Sequence, residues 1–456
     1  MKSVITETFQ RHRYLFDTNL TEEDRVKFKK ILNESASKND YEKSLKFLSK
    51  LLYQHTGKKV YILLDEYDTP INHAYLHGCY ASCRSFLAGM FGQTFKGNDF
   101  LERGLITGIL KVAKASLFSE LNNLKVYTTL SKKYANTFGF TTAETDDLLN
   151  RAGLPQKAHQ LKEMYNGYQI GGYTLYNPFS IVSFIDEVLD DPKGDMQDAL
   201  KSYWINTGGT HLIGDMIRNN LVELKEDLTA LLDKKTIQTQ IDEHVIYDPH
   251  LRHNAVGFWS VLLLSGYVKS IESHTDVFGD SVHTICFPNE EVSRSMRQLV
   301  LRVSFGKKDT QALSQAMKAL VMGKVDPFIR FVKAYIRYAL SYFDGDKEEK
   351  EKPYHMLLLG LVAFFANTHH VRSNRESGEG RYDIGLEPKP THKNMKAIII
   401  ELKVASKGKN LKQVAQKAFQ QIKDKAYKAD MEARGTTDYV LLGMAFSGKE
   451  VEVVYA

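Results

Sequence analysis

The sequence predicts a multi-domain α/β protein, and three observations carry that expectation. The apolar run Val60-Tyr-Ile-Leu-Leu64 sits among helical patterns after Gly57-Lys-Lys59, as a strand buried on both faces would. Beyond residue 345 the pattern reads helix, three strands, helix, two strands. The chain has 456 residues, 43% hydrophobic and 25% charged. That is length for about three domains at roughly 150 residues each, with cores that need no staples.

The elements follow in order. Thr21 with Asp24 has the spacing of a capping box and opens a helix. Leu105-Ile-Thr-Gly-Ile109 reads as a second, weaker strand, and helices between the two strands make residues 1–154 an α/β unit. Residues 155–343 read as mostly helical, interrupted by a hairpin at 165–180 and a strand pair near 266–287. Asn289-Glu290-Glu291 after Pro288 reads as a helix start with acids near its positive end. The charge run Asp344 to Pro353 marks a border near 345. In 344–456, helix Tyr354–Ala366 precedes strands His370–Arg375, Arg381–Glu387 and Lys396–Val404. Helix Leu411–Lys428 and strands Tyr439–Phe446 and Glu450–Tyr455 complete the unit, the last two turning at Ser447-Gly448-Lys449.

Composition excludes several classes. Three cysteines make no disulfide framework, and Cys79 and Cys83 have no partner pair at zinc spacing. The first residues carry no apolar export segment, so a reducing, cytoplasmic location is expected. The longest apolar run, Met356 to Ala366, is 11 residues, and a spanning helix needs about 20, so no membrane partner is expected. The net charge of +6 is unremarkable as a total. Resolved along the chain, Lys389 to Lys428 holds 11 lysines and two acids, a local +9 on a body that is otherwise slightly acidic. Such a patch suits phosphate and nucleic acid, with DNA the expected partner.

Inside that patch lies the most informative constellation. Strand side chains alternate, so Glu401 and Lys403 share one face, while Ile398, Ile400, Leu402 and Val404 point to the core. A hairpin through Pro388 to Met395 sets Asp383 opposite Glu401, where Cβ atoms lie about 4.5–5.5 Å apart. Two carboxylates at that spacing repel unless a cation or Lys403 neutralises them. Paired hard oxygens suit Mg²⁺ or Mn²⁺ beside a phosphodiester, with Lys403 to orient water or stabilise developing charge. A surface salt bridge of Lys403 would look similar at this level. Gln421 falls on the apolar face of its helix with Val414 and Ala418, and reaches the carboxylates from there. His369 and His370 are neighbours on a strand and cannot share an ion.

Glu376-Ser-Gly-Glu-Gly-Arg-Tyr-Asp383, Ile399-Ile-Glu401-Leu-Lys403 and Ala418-x-x-Gln421-Ile422 together resemble the PD-(D/E)XK nuclease-like domain. They look like the version found at the C-terminus of bacterial AAA-ATPase-like proteins of unknown function. The resemblance implies a restriction-endonuclease-like fold, α-β-β-β-α-β. It makes Asp383 and Glu401 metal ligands, Lys403 the catalytic lysine and Gln421 the helix-borne catalytic residue. It also makes Glu376 a further candidate acid. Arg381, Lys407, Lys409 and Lys412 are the candidate nucleic-acid contacts. Leu63-Leu-Asp65-Glu66-Tyr-Asp68 is similar to the Walker B segment of those proteins. Tyr165-Asn-Gly-Tyr168, Tyr176-Asn-Pro-Phe-Ser180 and Tyr203-Trp-Ile205 match in order too. The sequence nevertheless contains no G-x-x-x-x-G-K-[ST] to cradle phosphates. The N-terminal part is therefore expected to be a truncated P-loop-NTPase-like unit, a fragment or a degenerate form. Asp65 and Glu66 would be a vestigial Walker B pair, and ATP hydrolysis is not expected.

The leading expectation is a Mg²⁺-dependent nuclease with an ATPase-like regulatory scaffold. A non-catalytic DNA-binding or interaction module and a nucleotide-binding switch are the alternatives.

Overall fold

The structure is a computed structural model. It describes all residues except 19, 110–123, 192–199, 205–209, 244, 246–250, 252, 307–309, 343–346, 374–381, 406–407 and 425–430. No helix among the described residues is long and apolar enough to cross a membrane.

In the N-terminal part, β1 (Val60–Leu64) and β2 (Leu101–Ile106) form a two-stranded parallel sheet in which Leu63 pairs with Leu105. The second strand thus begins earlier and stops sooner than the apolar run 105–109 suggested. The first is not buried on both faces, since Tyr61 and Leu63 are 64% and 71% exposed. Packing lies on one side, where helix Tyr80–Phe95 sets the Phe95 ring where a Cβ on Gly104 would be. A continuous apolar run cannot distinguish one covered face from two.

The middle region holds the expected hairpin, β3 (Asn166–Ile170) with β4 (Tyr173–Tyr176). It also holds a three-stranded sheet, β5 (Ile237–Gln240), β7 (Ser281–Cys286) and β6 (Lys269–Thr275) in that spatial order. β5 was not legible in the sequence. Helix α1 (Glu290–Phe305) starts as expected, with the Asn289 side chain accepting from the Val292 N–H at 3.0 Å. Glu291 is fully buried and accepts from Ser180 Oγ at 2.9 Å and from the Tyr203 N–H at 2.9 Å. Burial pushes its carboxyl up against those donors. A Cβ on Gly167, whose φ is 110°, would lie 2.2 Å from the Pro288 carbonyl oxygen. The three aromatic motifs between 165 and 204 therefore converge on one helix start.

The C-terminal part opens with helix α2 (Lys347–Phe365), which contains Pro353 rather than starting after it at Tyr354. It continues through β8 (His369–Ser373), β9 (Tyr382–Pro388), β10 (Ala397–Val404), helix α3 (Leu411–Asp424), β11 (Tyr439–Ser447) and β12 (Glu450–Tyr455). The element order is the one the sequence predicts. The strands lie in the order β12-β11-β10-β9-β8. β10 and β11 are parallel and the other neighbours antiparallel, and the parallel pair needs the crossover that α3 supplies. Ile384, Leu386, Ile398, Ile400, Leu402 and Phe446 pack one face of the sheet into the core shared with α2 and the middle helices. Ala397, Ile399 and Leu441 pack the other face against Phe419 and Ile422 of α3. Val404 departs from its expected core role and is 45% exposed. His369 is fully buried with its Nε2 3.1 Å from the Lys396 carbonyl oxygen, while His370 turns to Asp233 at 3.4 Å. The two histidines take opposite faces, as alternation requires.

Candidate metal and nucleic-acid site

β9 and β10 pair in the register that sets Glu401 against Asp383, with Ile399 against Gly385 and Ile400 against Ile384. Glu401 shares its face with Ala397 and Ile399, the face that α3 covers, and is 1% exposed. Lys403 lies two residues along the same face and is half-buried. A carboxylate this deep is costly unless positive charge or donors compensate it.

Helix α3 is held close over that face by small residues. Ala415 and Ala418 are fully buried, and Gly443 of β11 is the parallel-register partner of Glu401. A Cβ on Gly443 would lie 2.4 Å from the Phe419 nitrogen and 2.6 Å from the Ala415 carbonyl oxygen, both backbone atoms. Sequence reasoning missed this residue. The signal was a lone glycine in the apolar strand run Tyr439 to Phe446, which marks a close backbone approach. Gln421, one turn on from Ala418, is half-buried, and its Oε1 is buried with no hydrogen-bond partner among the described residues.

These features fit a hard divalent cation. Asp383 and Glu401 are oxygen donors on paired positions, and the Gln421 amide oxygen is a buried acceptor on the helix above that face. Among the described residues no three His, Cys, Asp or Glu side chains are grouped to hold an ion. Mg²⁺ binds through one or two carboxylates and takes further ligands from water and substrate phosphate.

A second carboxylate, also missed, stabilises the strand. Glu387 lies on β9 four residues from Asp383, hence on the same face, and is buried. Arg434 Nε donates to both its oxygens, at 3.0 and 3.1 Å, and Thr436 Oγ1 donates at 3.4 Å. This ion pair anchors β9 to the segment that enters β11.

Two stretches of the chain match known families. Residues 349–456 match the PD-(D/E)XK nuclease superfamily. Residues 2–118 match the family described as a predicted AAA-ATPase. The chain is also 23% identical, over 402 residues, to an uncharacterised protein encoded in the vnfD 5′ region of Azotobacter chroococcum mcd 1. That alignment spans 87% of this chain and 71% of the relative. No solved structure matches the chain.

The remaining sequence candidates divide between the nuclease-superfamily domain and the AAA-ATPase-like region. Glu376, Arg381 and Lys407 lie outside the described residues. Lys409, just before α3, and Lys412, in its first turn, are exposed. Asp65 and Glu66 follow β1 and are exposed, far along the chain from the carboxylate pair. Asp65 Oδ1 accepts from Thr107 Oγ1 and from the Glu66 N–H, which ties the ends of β1 and β2 together. Glu66 holds a left-handed φ of 51°, a cost of order 1–3 kcal/mol for a residue with a Cβ.

Proposed function

We propose that the C-terminal domain is a divalent-metal-dependent nuclease that hydrolyses phosphodiester bonds. The observation that carries this reading is the pairing of Asp383 with Glu401 on adjacent strands, with Lys403 two residues beyond on the same face. Asp383 and Glu401 would hold Mg²⁺ or Mn²⁺, and the bound cation would neutralise phosphate charge and make water more acidic. Lys403 holds a positive charge beside the carboxylates, where it orients the attacking water or stabilises charge on the phosphorus oxygens. Gln421 reaches the same place from α3 and fixes the position of a water or phosphate oxygen. Burial makes the Glu401 carboxylate costly on its own, and positive charge held beside it offsets that cost.

The AAA-ATPase-like region serves, in this reading, as a regulatory scaffold, with Asp65 engaged in closing its sheet. Cleavage of labelled DNA and RNA with Mg²⁺ or Mn²⁺ tests the proposal. Asp383→Asn and Glu401→Gln should abolish cutting in step with metal affinity. Cutting by both variants at the wild-type rate refutes it.

A further inference from the structure

The outward face of α3 has no part in the chemistry above, and its residues are ordered in an informative way. Gln413, Gln416 and Gln420 are exposed, as are Lys412, Lys417 and Lys423. At about 100° per residue, the three glutamines fall within roughly 60° of arc at the centre of that face. Lys417 lies about 40° to one side of them, and Lys423 and Lys412 about 20–40° beyond the other. Amide side chains thus form a central ridge with a lysine flank on either side. No acid occurs between Glu401 and Asp424, so the whole face is basic or neutral.

We propose that α3 lies in the major groove of duplex DNA, with Gln413 and Gln416 on base edges and Lys412, Lys417 and Lys423 on the flanking phosphates. This rests on the nuclease reading and names its substrate class. A B-form major groove is about 12 Å wide and admits an α-helix of about 10–12 Å diameter. Glutamine presents a donor and an acceptor together and matches adenine N6 and N7. The groove of A-form RNA is too narrow for a helix, and a single strand has no two flanks for the two rows of lysines.

The position of the carboxylates agrees with this docking. α3 touches the sheet at Gly443 of β11, and Asp383 lies on β9, two strands away. Two strand spacings are about 9–10 Å, beyond the helix radius of about 5–6 Å. A groove centred on the helix therefore brings one phosphate backbone down beside it, over β9 and β10. Gln421 and Lys417 are about 40° apart on the helix, so Lys417 is the flank nearest the site.

Binding of the full chain, measured by fluorescence anisotropy in EDTA, tests this separately from cutting. The probes are a 24-base-pair DNA duplex of mixed sequence, its single strands and the matching RNA duplex. The DNA duplex should bind at least about tenfold more tightly than the others. Lys412→Ala and Lys417→Ala should each reduce the slope of log K against log salt by about 0.9. Gln413→Ala with Gln416→Ala should leave that slope unchanged and flatten sequence preference, in a selection from randomised duplexes, by about tenfold. All these side chains are exposed, and unchanged melting curves establish that the variants fold. Equal affinity for the three probes, or salt slopes untouched by the lysine variants, overturns the docking. A chain that cuts DNA yet is indifferent to these variants overturns the docking alone. One that binds as stated but cuts nothing with any divalent metal overturns the nuclease reading.

Discussion

Gly443→Ala is the most exacting test of how α3 is held over the carboxylates. The added Cβ would meet the Phe419 nitrogen at 2.4 Å and the Phe419 Cα and Ala415 oxygen at 2.6 Å. Ordinary van der Waals contact begins near 3.4 Å, so the helix must move by about 1 Å. No rotamer change relieves this, since all three neighbouring atoms are backbone. Overpacking of a core by one methyl costs typically 1–3 kcal/mol, and a backbone obstacle puts this case near the upper end, about 2–3 kcal/mol. The displacement also lifts Gln421, one turn beyond Ala418, away from Glu401. Urea unfolding should show a lower midpoint at an unchanged slope. Single-turnover cleavage should fall by tenfold or more in the fraction that remains folded. A variant within 0.5 kcal/mol of wild type would refute the claim that this glycine sets the helix-to-sheet distance.

Other parts of the molecule give further outcomes. Arg434→Ala removes the Nε–H that both buried Glu387 oxygens share and should cost about 2–4 kcal/mol, with Glu387→Gln in the same chain recovering part of it in denaturant melts. Burial lowers His355 and His369 from 6.5 to about 4, so each resists protonation in the folded chain. Unfolding then takes up protons as pH falls from about 6.5 to about 4. Stability should drop across that window by about 2 kcal/mol per histidine at pH 5, and His369→Gln should remove its share. ATP with Mg²⁺ at millimolar concentration should shift Tm by less than 1 °C, whereas a site of micromolar affinity would raise it measurably.

The β9–β10 register was legible because alternation and a short connection leave little freedom. Once the turn is placed near 388–395, Asp383 must meet Glu401 or miss by one residue. The apolar stripe of α3 was legible for the same reason, as a period of 3.6. Contacts distant in sequence were not. Nothing local in Glu387 announces Arg434, 47 residues away, and nothing near Ser180 announces Glu291. Burial depth was also hidden, for Val60–Leu64 is as apolar as a central strand yet leaves Tyr61 and Leu63 uncovered. The short polar strand β5 carries no apolar alternation strong enough to read.

The central claim is that phosphodiester hydrolysis proceeds at Asp383, Glu401 and Lys403. Single-turnover DNA cleavage by Lys403→Ala, compared with wild type at saturating protein and Mg²⁺, tests it most directly. Loss of a charge stabiliser worth about 2.7–4 kcal/mol predicts a rate lowered by about 10²–10³, with duplex affinity changed only slightly. Cleavage by Lys403→Ala at the wild-type rate would contradict the account.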